Sequence, residues 1–472
     1  MIKEFTEKIK SREIDVVQHT RKVLNEIKTL NKEYNYFNTI SEELALEQAE
    51  KLRSNPKGRL AGVPISVKDC IVVKGVESTA GSRILKGYNP VFNATAVARC
   101  IDEGAIIIGK TSQDEFGFGG FSTNVGLDYK VPLNPFDKER ATGGSSGGSG
   151  GISQKASFPH VSLGESTGGS IVNPASFCGV FGLCPTYGRV SRYGLMDYAN
   201  SLDKIGPMSK SIEDAALVLE IISGSTSRES TSLNKPVENY SSFAGKGVKG
   251  MKIGVIKDAF AEGLDDAVRK KVWDGIKKLE SEGAKYEEVS LPLTIKYGLS
   301  VYYIIATSEA STNLAKYCGM RYGKHEKLEG SFNEYFTKVR SKHFGKEAKR
   351  RIILGTFARM AGFRDAYYIK AMKVRTRIIN EYKSLFKKYD LLVSPTVAIL
   401  PPRFDEINKL SLLQNYMVDT LTVGPNLAGL PHLNVPVGFE KKGGKQLPVG
   451  MMLIGDHLQE AKLIQAGSVF GR

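Results

Sequence analysis

Thr95-Ala-Val-Ala-Arg-Cys-Ile-Asp-Glu-Gly104-Ala-Ile-Ile-Ile-Gly109-Lys110-Thr111 can be read in two ways, and the fold depends on which is right. Its second half matches the phosphate-loop pattern GxxxxGK[ST] letter for letter. A phosphate loop needs its four middle residues to turn, so that backbone N–H groups point at phosphate. Here three of those four are isoleucine, which is stiff at χ1 and favours strands. A strand should also come before such a loop, whereas Thr95–Glu103 has helical spacing. The stretch therefore reads as a helix stopped by Gly104, then a buried strand over Ala105–Ile108 that ends at Gly109.

The same alternation extends in both directions. Residues 1–55 read as a helical region, with Val17, Val23, Leu24 and Ile27 at three- and four-residue steps. Thr39-Ile40-Ser41-Glu42 has capping-box spacing ahead of Leu44-Ala45-Leu46. Leu60–Val67 reads as a strand. Ser211-Ile-Glu-Asp214 caps a helix to about Ile222. Residues 223–249, rich in Ser, Thr, Asn and Gly, read as a surface loop. Beyond it come a strand at Met251–Ile256, a helix over Asp265–Glu282, a strand near Glu287 and a long helical region over 293–388. Short buried strands follow at Leu391–Val393 and Leu433–Val435. Short apolar strands alternating with helices predict an α/β fold: a central mixed, largely parallel sheet covered by helices on both faces. The expected organisation is one domain over 1–472. Its core (56–222) and its second part (250–472) contribute strands to one sheet, and 223–249 is an excursion between them.

Composition narrows the function classes. Of 472 residues, 41% are hydrophobic and 25% charged, which is ordinary globular usage and excludes a disordered or collagen-like chain. The net charge is +16, which suits an acidic partner such as nucleic acid, or simply a lysine-rich surface. Five cysteines with no CxxC pair fit a reducing compartment, and the expected location is the cytoplasm. The charged N-terminal residues MIKEFTEKIKSREID carry no apolar signal-like run, and no stretch of 18 apolar residues predicts a membrane span. No His/Cys/Asp cluster has metal-ligand spacing, so no metal is expected.

Of the 49 glycines, thirteen lie between Gly143 and Gly194. Thr142-Gly-Gly-Ser145-Ser146-Gly-Gly-Ser149-Gly-Gly151 and Leu163-Gly-Glu-Ser-Thr167-Gly168-Gly169-Ser170-Ile171 read as two glycine-serine turns brought to one point. A serine nucleophile needs a base within hydrogen-bond reach and N–H donors for the oxyanion. Gly168 and Gly169, just before Ser170, suit the second requirement. None of the six histidines (His19, His160, His325, His343, His432, His457) sits in a triad motif. Lys68, at the end of an apolar strand, is the other candidate base, since burial there favours a neutral amine.

Gly62-Val-Pro-Ile-Ser-Val-Lys68-Asp69, Gly143-Gly-Ser-Ser-Gly-Gly-Ser149 and Thr167-Gly-Gly-Ser170-Ile171, in this order, resemble the amidase signature family. The resemblance implies a single amidase-signature domain and a Ser-Ser-Lys relay. Ser170 would be the acyl-forming nucleophile, Ser145 the bridging hydroxyl and Lys68 the terminal base. The oxyanion hole would be the N–H groups of Thr167, Gly168, Gly169 and Ser170. Lys110–Phe116, Pro185–Leu195, Ser201–Pro207, Ser308–Leu314, Leu354–Phe357 and Asn426–Pro431 are similar to one branch of that family, the glutaminase subunits of tRNA-dependent amidotransferases. That likeness covers nearly the whole chain.

The branch implies glutamine as substrate, partner subunits B and C, and misacylated tRNA reached through the complex. ATP and magnesium would be used by the partner kinase subunit, with no cofactor here. The acceptor would be Glu-tRNA(Gln), Asp-tRNA(Asn) or both. It also implies a glutamine clamp: Asp419 for the ammonium, Arg350 or Arg351 for the carboxylate, and Tyr302 or Tyr303 completing the pocket. A zwitterion wants one anion and one bidentate cation. The arginines could equally form a solvated basic face with Lys346 and Lys349.

The chain departs from the family pattern where many relatives carry Asp and Arg: it has Ser166 and Val172. Losing both members of a buried pair can be nearly neutral, so the loss reads as compensated. One extra residue falls near Ile152–Phe158. The competing functions are a stand-alone amidase for small amides and a basic, non-catalytic scaffold for tRNA. The complete Lys-Ser-Ser set argues against the scaffold.

Overall fold

The computed structural model describes residues 1–471. Eleven strands form one sheet: β1 (Phe37–Ile40), β2 (Pro64–Lys68), β3 (Ile106–Thr111), β4 (Val161–Ser166), β5 (Phe181–Cys184), β6 (Lys204–Ser209), β7 (Lys252–Ile256), β8 (Lys285–Val289), β9 (Leu391–Pro395), β10 (His432–Lys442) and β11 (Lys445–Gly455). Their order is β1-β3-β2-β4-β6-β5-β10-β11-β9-β7-β8, so strands from before and after 223–249 meet where β5 pairs with β10. Helices flank the sheet, and most of its apolar residues belong to one large core, with two smaller clusters beside it.

The α/β class and the mixed sheet are as expected, but parallel pairing does not dominate. Only β3-β2-β4 and β9-β7-β8 pair in parallel; the other six pairings are antiparallel. The reason is β10-β11, an eleven-on-eleven-residue hairpin around Gly443-Gly444. Only Leu433–Val435 of it reads as buried strand in the sequence, because its tip is lysine-rich and exposed.

The stretch resembling a phosphate loop is a buried strand. β3 runs on through Gly109 to Thr111, and Lys110 is buried with its ammonium on the Asp69 carbonyl (3.1 Å) and Ser78 Oγ (2.7 Å). The 1–55 region is helical except for β1, an edge strand against β3. The capping box at Thr39–Glu42 does not form; Ser41 precedes the helix but donates its hydroxyl to the Ile107 carbonyl (2.7 Å). The 293–388 region breaks into helices at 292–313, 332–343, 346–359 and 370–386. No helix among the described residues is long and apolar enough to cross a membrane.

The first glycine-serine segment is not a turn throughout: Gly147–Lys155 is a helix, buried over most of its length. Glycine costs helix stability, so its use here has to be steric. A Cβ on Gly148 would lie 2.5 Å from the Tyr36 carbonyl oxygen and 2.6 and 2.7 Å from Ser112 N and O. Those are backbone atoms and cannot swing away. Gly148→Ala is therefore expected to cost about 3 kcal/mol or more, at the upper end of overpacking effects. A melt of the purified variant checks this; a midpoint equal to wild type would contradict it. In the turn before β4, Ser157 Oγ donates to Glu26 (2.5 Å).

Candidate functional site

Three neighbouring pieces of chain build the centre. β2 ends at Lys68, which carries its ammonium into the core at 0% exposure. The loop before the glycine helix delivers Ser145, also fully buried, through a cis Gly144–Ser145 peptide. β4 runs into the turn Thr167–Ile171, which carries Ser170 and leads into the helix Val172–Cys178. Lys68 Nζ donates to Ser145 Oγ at 2.7 Å. The Ser146 N–H donates to the Ser170 carbonyl at 3.3 Å, which ties the two serine segments together. Ser145 Oγ and Ser170 Oγ are not hydrogen-bonded to each other in this structure; such contacts commonly tighten only around substrate.

The turn suits an oxyanion. Among the described residues, the N–H groups of Gly168, Gly169 and Ser170 donate to no protein acceptor. The glycines are required by contact: a Cβ on Gly168 would meet the Tyr302 ring carbon and hydroxyl, both at 2.7 Å, and one on Gly169 would meet the Asn173 amide at 2.8 Å. Asn426 holds the Gly168 carbonyl at 2.5 Å, so the peptide cannot flip its N–H away freely. Thr167 sits in the turn as expected. Its side chain lies between two buried carboxylates, 2.9 Å from Glu165 Oε1 and 2.8 Å from Asp203 Oδ1.

The sequence reading missed Glu165. Its Oε2 lies 2.8 Å from Lys68 Nζ and its carbonyl 3.0 Å away. The available signal was a glutamate inside a strand of otherwise small and apolar residues, since a buried carboxylate needs a partner. The two departures from the family pattern are also explained. Ser166 and Val172 are both fully buried, and Ser166 Oγ has no partner among the described residues. So no charge is left stranded at either position.

The residues expected to clamp an amino acid lie around Tyr303. Its hydroxyl donates to Asp419 Oδ2 at 3.0 Å, and Asn173 Nδ2 donates to Asp419 Oδ1 at 2.8 Å. Burial pushes the Asp419 carboxyl up to about 6, against the pull of the Tyr303 hydroxyl, the Arg351 charge and the Asn173 amide. The Arg351 guanidinium lies 5.1 Å from the Tyr303 ring centroid, with Phe118, Tyr198 and Tyr416 completing an aromatic cage. It donates to Glu347 at 2.9 Å and to the Tyr198 hydroxyl at 2.5 Å. Arg350 is partly exposed and bound only to Glu347. Of the two tyrosines, Tyr303 holds Asp419 while Tyr302 covers Gly168; of the two arginines, Arg351 is buried in the aromatic cage and Arg350 is partly exposed. A cleft of about 380 Å³ lined by Gly120, Glu347, Arg350, Arg351 and Tyr416 opens beside them, so both arginines reach it.

Arg189 and Arg192, from the Pro185–Leu195 motif, are used structurally. Arg189 donates to the Tyr240 hydroxyl and to the carbonyls of Lys235 and Pro236, and Arg192 pairs with Glu229; together they pin the 223–249 loop. Among the described residues no group of three His, Cys, Asp or Glu could hold a metal ion.

The chain is similar to known proteins over nearly its full length. The sequence profile of the family described as Amidase matches residues 18–464. The chain is 44% identical to the A subunit of the glutamyl-tRNA(Gln) amidotransferase of Carboxydothermus hydrogenoformans, over 99% of this chain and 96% of that one. Among solved structures, it is similar to the A subunit of the glutamyl-tRNA(Gln) amidotransferase from Thermotoga maritima, at 35% identity and a TM-score of 0.77 over 96% of this chain and 89% of that one. It is also similar to the native peptide amidase from Stenotrophomonas maltophilia, at 27% identity and a TM-score of 0.81 over 99% and 96%.

Proposed function

The chain belongs to the amidase family, and from that premise we propose that it is the glutamine-hydrolysing subunit of a tRNA-dependent amidotransferase. The observation that carries this reading is that Asp419 and Arg351 both lie on Tyr303, Asp419 at its hydroxyl and Arg351 5.1 Å from its ring centroid, close to the turn that bears Ser170. One carboxylate and one guanidinium held beside the same tyrosine suit the ammonium and carboxylate of a free amino acid, with its side-chain amide reaching the serine. Full-length similarity to the A subunits of glutamyl-tRNA(Gln) amidotransferases supports the same reading.

Ser170 Oγ attacks the amide carbon of glutamine, and its proton passes through Ser145 to Lys68. The tetrahedral oxyanion rests on the N–H groups of the glycine turn. The proton returns to the leaving nitrogen, ammonia departs, and water then releases glutamate from the ester by the same relay. The ammonia serves the partner kinase, the B subunit, which activates Glu-tRNA(Gln) or Asp-tRNA(Asn) with ATP and magnesium. The small C subunit joins the two. The complex works in the cytoplasm, where misacylated tRNA is made.

The test is glutamate release by the chain co-expressed with candidate B and C subunits, with and without charged tRNA and ATP. Release from glutamine that rises with tRNA is expected. Equal cleavage of simple amides by the chain alone would replace this reading with a stand-alone amidase.

The clamp predicts a pH dependence. Asp419 must be ionised to hold an ammonium, and its carboxyl titrates at about 6. As pH falls below that value the protonated fraction grows, so KM for glutamine is expected to rise roughly tenfold per unit. Turnover at saturating glutamine should change less. KM measured from pH 5 to 8 checks this, and a KM unchanged between pH 7 and 5 would contradict it.

A further inference from the structure

Lys68 makes three hydrogen bonds: to Ser145 Oγ (2.7 Å), to the Glu165 carbonyl (3.0 Å) and to Glu165 Oε2 (2.8 Å). An ammonium has three hydrogens and no acceptor. Held as an ammonium against the Glu165 carboxylate, Lys68 gives all three away; in that form Nζ has no lone pair to offer Ser145 and can take a proton only as it loses another. A backbone carbonyl is no useful base, and Ser145 is the proton's source. Only Glu165 Oε2 remains. We propose that the relay of this chain ends on the Glu165 carboxylate, with Lys68 passing the proton rather than keeping it. This rests on the amidohydrolase reading above.

The step balances. At rest the pair is ammonium and carboxylate. As Ser170 Oγ bonds to the amide carbon, its proton moves to Ser145 Oγ, the Ser145 proton moves to Lys68 Nζ, and a Lys68 proton moves to Glu165 Oε2. The negative charge lost at Glu165 reappears on the tetrahedral oxyanion, and the lysine stays cationic. The reverse shift protonates the leaving nitrogen as the C–N bond breaks.

The surroundings leave Glu165 free for this. Its other oxygen, Oε1, accepts from Thr167 Oγ1, and the same hydroxyl lies 2.8 Å from Asp203 Oδ1. A threonine has one proton, so if it donates to Glu165, the Asp203 carboxyl must donate to it. Burial and the charge of Glu165 hold Asp203 well above the usual carboxylate range, in keeping with a protonated acid. The other groups close enough to sense Glu165 are the Cys70 and Cys184 thiols, both raised by burial, with Lys204 beside Cys184. Thr167 thereby links the proton seat to the oxyanion turn. Glu165 touches no substrate; it is a positioning residue that acts through Lys68.

The test compares wild type, Glu165→Gln and Glu165→Asp in the co-expressed complex, by kcat and KM for glutamine from pH 5.5 to 9.5. In Glu165→Gln the lysine must be neutral to act, so the acidic limb of kcat should move up by at least about one pH unit. At pH 7 kcat should fall about 100-fold with KM within about twofold. A kcat near wild type with an unmoved limb overturns the proposal. If Glu165→Gln fails to assemble with its partners, Glu165→Asp decides. A kcat lowered about tenfold with the limb in place supports the seat, and a wild-type kcat overturns it, because reach to Lys68 would not matter. If wild type cleaves propionamide but not glutamine, the glutaminase reading fails alone, and the same comparison on propionamide still judges Glu165.

Discussion

Ser170→Ala is expected to abolish glutamate release, by about 10⁴-fold or more, while the complex still amidates charged tRNA when ammonium chloride replaces glutamine. The magnitude follows from the geometry. Among the described residues the turn leaves the N–H groups of Gly168, Gly169 and Ser170 without a protein acceptor, but without Oγ no acyl bond can form. The remaining hydroxyl, Ser145, is fully buried and occupied by Lys68 at 2.7 Å, so it is a poor substitute. Removing a hydroxyl from a residue that is 6% exposed creates no large cavity, so the variant should fold and melt near wild type. Supply of external ammonia bypasses only the missing step. Loss of both activities would point to a damaged assembly instead of a missing nucleophile. Retention of glutamate release would remove Ser170 from the mechanism.

Lys68→Met has the second-largest expected effect, and it falls on stability as well as on rate. Glu165 and Lys68 are 3% and 0% exposed and 2.8 Å apart. Truncating the cation leaves a buried carboxylate without a counter-charge, which typically costs about 3–5 kcal/mol. The carboxylate must then take up a proton or remain unpaired, so the deficit should be larger at pH 8 than at pH 5. Removing both charges, in Lys68→Met/Glu165→Gln, should recover most of the stability and none of the activity. Thermal and urea melts of the single and double variants form the cycle. A double variant as unstable as Lys68→Met would show that the pair is not what the lysine stabilises.

These expectations show which parts of the molecule the sequence reveals. Lys68, Ser145 and Ser170 stand in short glycine- and serine-rich stretches whose residue types are dictated by contact, as at Gly168 under Tyr302. Such constraints are local and therefore readable. The stretch around Gly109 was readable for a similar reason: three isoleucines cannot form a phosphate-binding turn. Glu165 was only half readable: a glutamate in a strand of small and apolar residues signals a buried partner, but that partner is a lysine 97 residues away that reaches it across the sheet. The clamp was half readable. Arg350 and Arg351 are adjacent, and only the packing of Phe118, Tyr198, Tyr303 and Tyr416 from four distant segments buries Arg351 and leaves Arg350 partly exposed. Sheet polarity failed for the same reason. The tip of the β10-β11 hairpin is as polar as a loop, so the antiparallel centre left little trace in the apolar pattern. The helix at Gly147–Lys155 was hidden by its own composition, since glycine is there to let Tyr36 and Ser112 approach.

The most direct measurement is to trap the acyl intermediate. The complex is mixed with isotopically labelled glutamine, quenched in acid within one turnover, digested and mapped by mass spectrometry. A γ-glutamyl ester is expected on the peptide carrying Ser170 and is expected to be absent from Ser170→Ala. Turnover of glutamine with the label on another residue, or with no covalent label at any quench time, would contradict a Ser170 acyl-enzyme.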